Sequence, residues 1–579
     1  MESENREDLK FLDKLEHVVD QTPLFLNNKF DECLKKLALF KDSSMFHHLG
    51  YCILHFAQSL LTMDKEMMRV TLKELDQCLD VYNKKYRKQK TPYFNKNYET
   101  FTDEEIHAEL GYSALFTASA LLNVVYDQSF VCFAKSAYRM TAGYIGLKEG
   151  MYILNTRKNW AHQRSREHFE AFLKICLGLF EIVIAYMPAK LSRFLDFIGF
   201  SGNFETGLEY LEESFAIKNT FGSQISGLIL TVVYTLLEFF YGLGAVKLEA
   251  LHRIKSDCLK LHPESSYTAL VCASIHFCEA EHSEVLKICD ENLERNGEQP
   301  KYVRYIFCLL KAMTYSFQCK WKDARQTMSY LLECKWSPAA LHYVYGSFLF
   351  MEMKRTGNQE HEEELKIIFK KIPSLVKKIG GRKVFHDNFV VRRSQKYFQQ
   401  ESRKFFLPAY ELFYIWNCFD VIDRDEENMT IMLKEIESLL DCGEKEFALY
   451  DDYANLLFLK ATILQHSRRR DEARELFQEI INHGNKVKHD KHLLPHATFE
   501  IGRILAREKN FVEAKEWITK AKRNYSHYLT ESLLHFRVEI ALSRVQSDSE
   551  RIHILIYQKK SNKRKEFDYK LYFKLSKLG

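Results

Sequence analysis

The sequence predicts an all-α fold, built as an array of helical hairpins. Three observations support this prediction. The 579 residues include 9 prolines and 22 glycines, so residues that break helices are scarce. Hydrophobic residues make up 46% of the chain, and over long segments they recur at intervals of three and four residues, which is the helical period. In the second half of the chain, pairs of small residues recur with a spacing of 12.

Three helices are predicted near the start of the chain, over 31–40, 48–63 and 65–86. The polar stretch 89–103 that follows is expected to be a loop. Thr102 and Glu105 match a capping box, in which each residue accepts a hydrogen bond from the backbone of the other. A helix is therefore predicted to begin there and to extend to Tyr126.

The partner of that helix is expected over 128–149. The stretch 151–167 after it is polar and basic, and it is predicted to be an exposed loop or an insertion. Neither segment contains a motif with recognisable chemistry.

Residues 168–246 form the apolar centre of the N-terminal half. Pro188 is expected to end the first helix of this stretch, because proline lacks the N–H group that a helix needs. The segment 199–203 (GFSGN) predicts a tight turn, with Asn203 capping the next helix. Helix N-termini present free N–H groups, so Gly202 and Asn203 are the candidate contact for an anion or a peptide carboxylate.

The segment 226–246 is nearly long enough to cross a bilayer, which takes about 20 apolar residues. It contains Glu238, two tyrosines and three glycines, and a carboxylate in the middle of a span is costly in lipid. We therefore predict a central buried helix of a soluble helical protein, with a peripheral membrane contact as the open alternative.

From about residue 248 the sequence shows a repeat. The tetratricopeptide pattern places one small residue in the first helix of a pair and another 12 positions later, in the second helix. Three pairs fit this pattern: Ala312 with Ala324, Ala461 with Ala473, and Gly502 with Ala514. Ala273 with Val285 is a weaker fourth pair, because valine replaces the expected alanine. Small residues let helices cross closely, so the pattern predicts a tetratricopeptide-like helical-repeat solenoid.

The predicted organisation therefore has three parts: an atypical apolar N-terminal helical region over 1–247, tetratricopeptide-like repeats over 248–557, and a basic tail over 558–579. Within the repeat region, the glycine-broken basic stretch 372–387 is expected to be an ordered loop or a short insertion.

Several phrases of the sequence resemble a known family. They are MPAKLSRFLDFIGFSGN (187–203), CKWSPAA (334–340), GRKVFHDNFVVRRSQKYF (381–398) and LPAYELFYIWN (407–417). The chain resembles the tetratricopeptide repeat protein 39 family, which is related to fungal inclusion-body-clearance proteins. The resemblance runs over nearly the whole chain. It implies a helical-repeat protein of the cytoplasm with no established enzymatic activity, and it transfers no catalytic or binding residue to this sequence.

No catalytic, metal or cofactor site is predicted. Ser201 lacks the glycine two positions later that a nucleophile elbow needs. A group of four histidines could bind a metal, namely His483, His489, His492 and His496. Pro495 and the surrounding lysines predict a solvated, basic linker there instead. The 14 cysteines are scattered, without Cys-x-x-Cys spacing, and are expected to be buried reduced thiols.

The charge balance excludes little. The chain has 83 basic and 78 acidic side chains, a net charge of +5, which gives no argument for nucleic-acid binding. The tail 558–579 is different, with 8 basic against 2 acidic residues. Its basic side chains are the candidate contact for an acidic partner or an anionic membrane surface, especially Lys559, Lys560, Lys563, Arg564 and Lys565.

The expected function is that of a non-enzymatic cytoplasmic scaffold or adaptor, which binds partner protein segments in the groove of the solenoid. The alternative is an apolar-ligand or lipid-associated protein that uses the N-terminal helical core, around 172–180 and 228–240, and the basic tail. A sealed core would favour the scaffold, and an empty apolar pocket would favour lipid. The expected partners are proteins, with a peripheral membrane or lipid-droplet contact left open, and neither nucleic acid nor a cofactor is expected.

Overall fold

The computed structural model describes residues 11–88, 97–127, 129–185, 202–237, 247–295, 300–379, 382–383, 385–399 and 403–549. These residues form helices joined by turns, together with a hairpin of two-residue strands, β1 Lys378–Ile379 and β2 Arg382–Lys383. The predicted all-α class is confirmed. The chain forms two compact units, with the boundary between Gln395 and Lys396. The division predicted near residue 247 marks a change of sequence pattern and stays a prediction.

Unit 1 begins with ten helices among its described residues. They are α1 Phe11–Val19, α2 Thr22–Leu26, α3 Phe30–Ala38, α4 Met45–Thr62, α5 Lys65–Val81, α6 Asp103–Tyr126, α7 Phe130–Thr156, α8 Gln163–Ala185, α9 Phe204–Ala216 and α10 Phe221–Val232. Five-residue π-helical turns extend α5 through Tyr82–Tyr86 and α10 through Val233–Leu237. The three helices predicted over 31–86 are confirmed.

The start of α6 follows the sequence prediction. The Thr102 side chain accepts a hydrogen bond from the Glu105 N–H, and Glu105 Oε2 accepts one from the Thr102 N–H at 2.8 Å. The capping box is therefore present and α6 ends at Tyr126, as predicted.

The loop predicted over 151–167 is mostly wrong, because α7 continues to Thr156 and α8 begins at Gln163. Arg157 explains part of the error. Its buried guanidinium forms an ion pair with Asp103, 3.0 Å between Nη2 and Oδ1, and donates to the Tyr98 carbonyl. A basic residue that seemed to mark a solvated loop is an internal link between two helix ends.

Among the described residues, α6 is the one helix that is long and apolar enough to cross a membrane. About three fifths of its most apolar stretch (61%) is buried inside unit 1. Glu109 within it forms a buried ion pair with Arg87, at 2.8 Å. Burial and internal ion pairing are typical of a core helix of a helical body. The sequence also offered the segment 226–246 as a possible membrane span. Residues 238–246 of that segment lie outside the described part of the chain.

Helices α8, α9 and α10 approach one another at glycines. A Cβ atom on Gly178 would lie 2.9 Å from the Gly207 carbonyl oxygen, and one on Gly207 would lie 2.9 Å from the Gly178 carbonyl oxygen. A Cβ on Gly222 would lie 2.5 Å from Ala171 Cβ. No larger side chain fits at these points without moving a backbone. The core is therefore closed where these helices cross.

The rest of unit 1 holds α11 Leu248–Leu261, α12 Ser266–Cys278, α13 His282–Glu294, α14 Lys301–Phe317, α15 Trp321–Ser329, α16 Pro338–Thr356, α17 Glu362–Lys371 and α18 Phe385–Lys396, whose last residue belongs to unit 2. The strands β1 and β2 lie in the predicted insertion 372–387.

Unit 2 holds α19 Pro408–Ile415, α20 Phe419–Ile422, α21 Glu426–Leu440, α22 Tyr450–His466, α23 Arg470–Asn482, α24 Leu493–Arg507, α25 Phe511–Arg523 and a last helix, α26, over 531–549. Helices α22 to α25 form the two pairs predicted around Ala461 and Gly502.

All four predicted repeat pairs are helical hairpins: α12–α13, α14–α15, α22–α23 and α24–α25. Their small residues are fully buried, and a Cβ on Gly502 would lie 2.6 Å from Ile518 Cγ1. Val285 on α13 and Ala273 on α12 are also fully buried. The weaker fourth pair is therefore confirmed, with valine in the place of alanine.

The turn inside each of these pairs has the same backbone conformation. The residue seven positions after the first small residue has a positive φ, between 53° and 65°, and these residues are Ala280, Cys319, Arg468 and Lys509. In each turn the next N–H donates to the carbonyl five residues earlier, at 2.9 Å in all four. This is the Schellman motif. The sequence did not reveal it, because glycine, its usual signal, is absent from all four positions.

Candidate functional site

Gly202 and Asn203 were the first candidate contact from the sequence. Asn203 caps α9, accepting from the Thr206 N–H at 3.0 Å, as predicted. Its own N–H donates to Glu181 Oε2, at 3.0 Å. Gly202 packs against the end of α8, since a Cβ there would lie 2.4 Å from the Ala185 nitrogen. This helix N-terminus thus already binds a carboxylate of its own chain, and contact with an external anion stays a prediction.

The second candidate, the basic tail, lies outside the described residues. Its predicted contact residues are Lys559, Lys560, Lys563, Arg564 and Lys565. Their role stays a prediction.

The histidine group is divided between a linker and a helix. His483 and His489 lie in the linker between α23 and α24, as predicted, and His489 is exposed there, whereas His492 and His496 are buried. Helix α24 begins at Leu493, and Pro495 lies in its first turn, where the missing N–H costs nothing. His496 is fully buried, with Nδ1 2.8 Å from the Tyr414 hydroxyl and Nε2 2.9 Å from Thr530 Oγ1. Burial, with His492 and Arg537 nearby, lowers the pKa of His496 well below its ordinary value. The imidazole is therefore a neutral structural group of unit 2.

The strongest candidate site is a group of charged side chains in unit 2, which we call the charged cluster. Its members are Asp420, Asp423, His466, Glu500, Arg503 and Arg507. His466 is the last residue of α22, and the two arginines lie on α24, immediately after Gly502 and one turn later. These two helices are the first helices of their pairs, and the aspartates come from α20 and the turn after it.

Asp420 is the centre of the charged cluster. Its Oδ1 lies 3.5 Å from Arg503 Nη2, 3.4 Å from Arg507 Nη2 and 3.7 Å from His466 Nδ1. His466 also lies 3.1 Å from Asp423 Oδ2. Although burial alone would raise the pKa of Asp420, Arg503, His466 and Arg507 hold it well below its ordinary value. Asp420 is thus an anion shared among three cationic or protonatable groups.

The base of the charged cluster is buried. Glu500, with 1% of its side chain exposed, accepts from Gln465 Nε2 at 2.9 Å, the Tyr414 hydroxyl at 3.1 Å and Arg503 Nη1 at 3.2 Å. Burial raises the pKa of Glu500, but Arg503 and the Gln465 hydrogen bond outweigh it, and the net pKa is lowered. The carboxylate is therefore charged and fixes Arg503 in place.

Arg507 is the accessible end of the charged cluster, with 33% of its side chain exposed, against 22% for Arg503. Burial and the like charge of Arg503 lower the pKa of Arg507. Within the described part of the chain its one hydrogen bond is the 3.4 Å contact to Asp420. A guanidinium has five N–H donors, so Arg507 can offer a planar pair of them to an additional carboxylate.

A second surface of interest lies on α7 in unit 1. Four apolar side chains spaced seven residues apart are each at least 48% exposed: Val131, Tyr138, Ile145 and Tyr152. A seven-residue spacing places them in one row along a helix. Lys135 and Lys148 are exposed on the same helix. We call this the α7 row, and an exposed apolar row of this length is typical of a contact surface. This row was not predicted from the sequence, although the seven-residue interval is visible there.

The model of the Iml2/Tetratricopeptide repeat protein 39 family matches residues 21–467 of this chain. The chain belongs to this family. The resemblance noted in the sequence is therefore confirmed for most of the chain. The matched range ends one residue after His466, so Arg503 and Arg507 lie beyond it.

Two relatives extend the comparison for this family member. This chain is 24% identical over 541 residues to Tetratricopeptide repeat protein ttc-39B of Caenorhabditis elegans, and the match covers 92% of this chain and 93% of that protein. It is 20% identical over 492 residues to Inclusion body clearance protein IML2 of Schizosaccharomyces pombe, covering 79% and 83%. Among solved structures, yeast Tom70 aligns with a TM-score of 0.27 at 11% identity, covering 94% of this chain and 99% of that one. So low a score supports no argument about this chain.

Proposed function

We propose that this protein is a non-enzymatic cytoplasmic scaffold or adaptor, and that the charged cluster of unit 2 binds acidic segments of partner proteins. The observation behind the proposal is the pair Arg503 and Arg507, which lie partly exposed on the first helix of a repeat pair. Helical-repeat proteins use such helices to line extended binding surfaces.

The charge arrangement favours a carboxylate ligand. Arg503 is bound by the buried Glu500, whereas Arg507 shares the more distant Asp420 with two other groups. A further anion beside Arg507 would offset the repulsion between the two guanidinium groups. Planar guanidinium groups bind carboxylates through two parallel hydrogen bonds, which adds geometric selectivity to the charge.

Binding of the full-length protein to an array of short peptides tests the proposal. The array pairs peptides that carry aspartate, glutamate or a free C-terminal carboxylate with their amidated counterparts. We expect binding to depend on the carboxylate and to weaken with added salt. Arg507→Ala should reduce the affinity about tenfold or more, because charge-assisted hydrogen bonds are worth about 1.5–3 kcal/mol.

Arg469→Ala is the matched control, because Arg469 is an exposed arginine of unit 2 that pairs with Glu472 on the adjoining helix. It should bind like the wild type. Arg507→Lys keeps the charge but not the planar donor pair, so we expect intermediate binding. Equal affinity of Arg507→Ala and Arg469→Ala for carboxylate peptides would contradict the proposal.

The α7 row favours a second candidate function, a peripheral contact with a membrane or lipid-droplet surface. Apolar side chains beside exposed lysines are typical of helices that lie in a lipid interface. The close crossing of α8 and α9 at Gly178 and Gly207 favours such a surface contact over a ligand held inside the core.

Flotation of the full-length protein with vesicles tests this second candidate. We expect binding to vesicles that contain anionic lipid, and loss of most of that binding in the double variant Tyr138→Ser/Ile145→Ser. Tyr330→Ser/Ile367→Ser is the matched control, because these residues are also exposed, at 68% and 65%, but lie outside α7. Flotation that is equal in both double variants would contradict a role for the α7 row.

A further inference from the structure

Three potential metal ligands come together inside unit 1, on α4 and α5. His48 and Cys52 are four residues apart on α4, which places them on one helix face. Cys78 lies on the adjoining helix α5. One ligand atom of each residue lies within 4.8 Å of the other two. His48 is 6% exposed and both cysteines are fully buried, so we call these three residues the buried triad.

The buried triad contains an unsatisfied polar atom. His48 Nδ1 is buried and has no hydrogen-bond partner. Cys52 Sγ makes a long contact, 3.7 Å, to the Glu74 carbonyl oxygen. A buried imidazole nitrogen without a partner is costly, and native proteins usually satisfy such atoms. A cation bound through Nδ1 would satisfy this nitrogen and both sulfur atoms at once.

The thiol groups are suited to metal binding, since a metal is bound by the thiolate form of cysteine. Cys52 and Cys78 bring their sulfur atoms together from two helices, within 4.8 Å of each other and of a ligand atom of His48. A bound dication would replace the thiol protons and balance the charge of the two buried thiolates.

Two other groups of potential ligands in the described residues have less suitable surroundings. Asp420, Asp423 and His466 belong to the charged cluster, where two arginines repel a cation. The second group, His276, Glu279 and Glu281, is partly exposed, and carboxylates often cluster on surfaces without an ion. The buried triad differs from both, because it combines soft ligands with full enclosure.

We propose that His48, Cys52 and Cys78 bind a zinc ion that joins α4 to α5. Zinc prefers imidazole and thiolate ligands in a tetrahedral arrangement. With Zn–S bonds of about 2.3 Å and Zn–N bonds of about 2.0 Å, the ligand atoms of such a site lie roughly 3.5–3.8 Å apart. The observed limit of 4.8 Å leaves a difference of about 1 Å, which side-chain rotation can close.

The carboxylate of Glu74 lies outside the 4.8 Å group, so the fourth position would be filled by water or, after side-chain rotation, by Glu74. Glu74 lies on α5 one turn before Cys78, and therefore on the same helix face. Its Oε2 atom is buried without a hydrogen bond, 3.5 Å from Lys41 Nζ. Both cysteines belong to the core that α4, α5 and α6 build around Met45, Leu75 and Leu115. The role of the site is therefore structural, since it fixes two core helices at one point.

Metal analysis of the full-length, tag-free protein tests the proposal. After loading with Zn²⁺ and removal of excess ion, we expect one zinc per chain by mass spectrometry. Loading with Co²⁺ should give the near-ultraviolet absorption of thiolate-to-cobalt charge transfer. Cys52→Ser/Cys78→Ser should lose both signals. Cys33→Ser is the matched control, because Cys33 is a buried thiol of α3 outside the triad, and it should keep them.

A measurement on the wild type covers the case in which the double variant does not fold. X-ray absorption at the zinc edge should show two sulfur neighbours at about 2.3 Å together with lighter ligands. Zinc well below one equivalent after loading would overturn the proposal, as would an ion without sulfur neighbours. A Cys52–Cys78 disulfide in the intact mass of protein isolated under reducing conditions would also overturn it.

Discussion

The helices around α6 to α10 and the pairs α22 to α25 use the same secondary structure to build different interiors. In the first region, helices meet backbone to backbone at glycines, and ion pairs such as Arg157–Asp103 are sealed inside. In the second, small residues recur with a spacing of 12, and the first helices carry His466, Glu500 and both arginines of the charged cluster. The first region uses its charges for its own packing. The second leaves two arginines partly exposed, which makes it the better candidate for binding a partner.

Removing the buried arginine of the first region should have the largest effect. Arg157→Ala leaves Asp103 charged and without its ion-pair partner in the core, and breaking a buried ion pair costs about 3–5 kcal/mol. Thermal denaturation should show the loss, and hydrogen exchange should place it in unit 1. The control Lys84→Ala breaks an exposed ion pair with Asp80 and should leave the melting temperature unchanged. Comparable melting of both variants would contradict the sealed-charge interpretation.

The second-largest effect should be a loss of stability of the first region at acidic pH. Burial lowers the pKa of His107 to about 4, whereas the unfolded chain titrates near 6.5. Between these values the unfolded state binds the proton first, so stability is fully present above about pH 6.5 and is lost as the pH falls towards 4. The loss should reach up to about 3 kcal/mol. Urea denaturation at a series of pH values measures it. His107→Gln should flatten this dependence of stability on pH. An unchanged dependence would refute its attribution to His107.

Enlarging a glycine of the first region should cost somewhat less. Gly202→Val places a side chain where a Cβ already lies 2.4 Å from the Ala185 nitrogen, and overpacking of this kind costs about 1–3 kcal/mol. Gly357→Ala is the informative contrast, because φ there is +70° but no atom lies within 4 Å, and it should cost about 1 kcal/mol. Thermal denaturation ranks the two variants. A Gly202→Val protein that melts like the wild type would disprove the close packing of Gly202 against the end of α8.

The smallest effect should come from a tyrosine of the second region. Tyr414→Phe removes one hydrogen bond from Glu500 and one from His496, while Glu500 keeps Gln465 and Arg503. A loss of about 1 kcal/mol is expected from chemical denaturation. Tyr144→Phe is the counterpart in the first region, where the hydroxyl donates to Glu181 at 3.2 Å. A much larger loss in Tyr414→Phe would mean that the charged cluster supports the fold rather than a partner.

The parts of the fold that depend on residues close together in the sequence were predictable. The capping box of α6 and the small-residue pairs are local patterns with a direct physical cause. Arg157 was not predictable as a buried group, because its partner Asp103 is 54 residues away. The charged cluster was missed for the same reason, since Arg503 and Asp420 are 83 residues apart. His496 was misjudged because Pro495, which breaks helices in their interior, also fits the first turn of a helix.

The turns within the repeat pairs set where this chain can change length. A residue inserted after Arg468 would rotate the following helix by about 100° and turn Ala473 away from the helix it packs against. A residue inserted near Asn485, between two pairs, would leave every pair intact. The natural sequence already shows this difference, since the spacing within pairs is 12 in all four cases, whereas successive pairs are offset by 39 and 41 residues. Tags, labels or grafted loops therefore belong between the pairs.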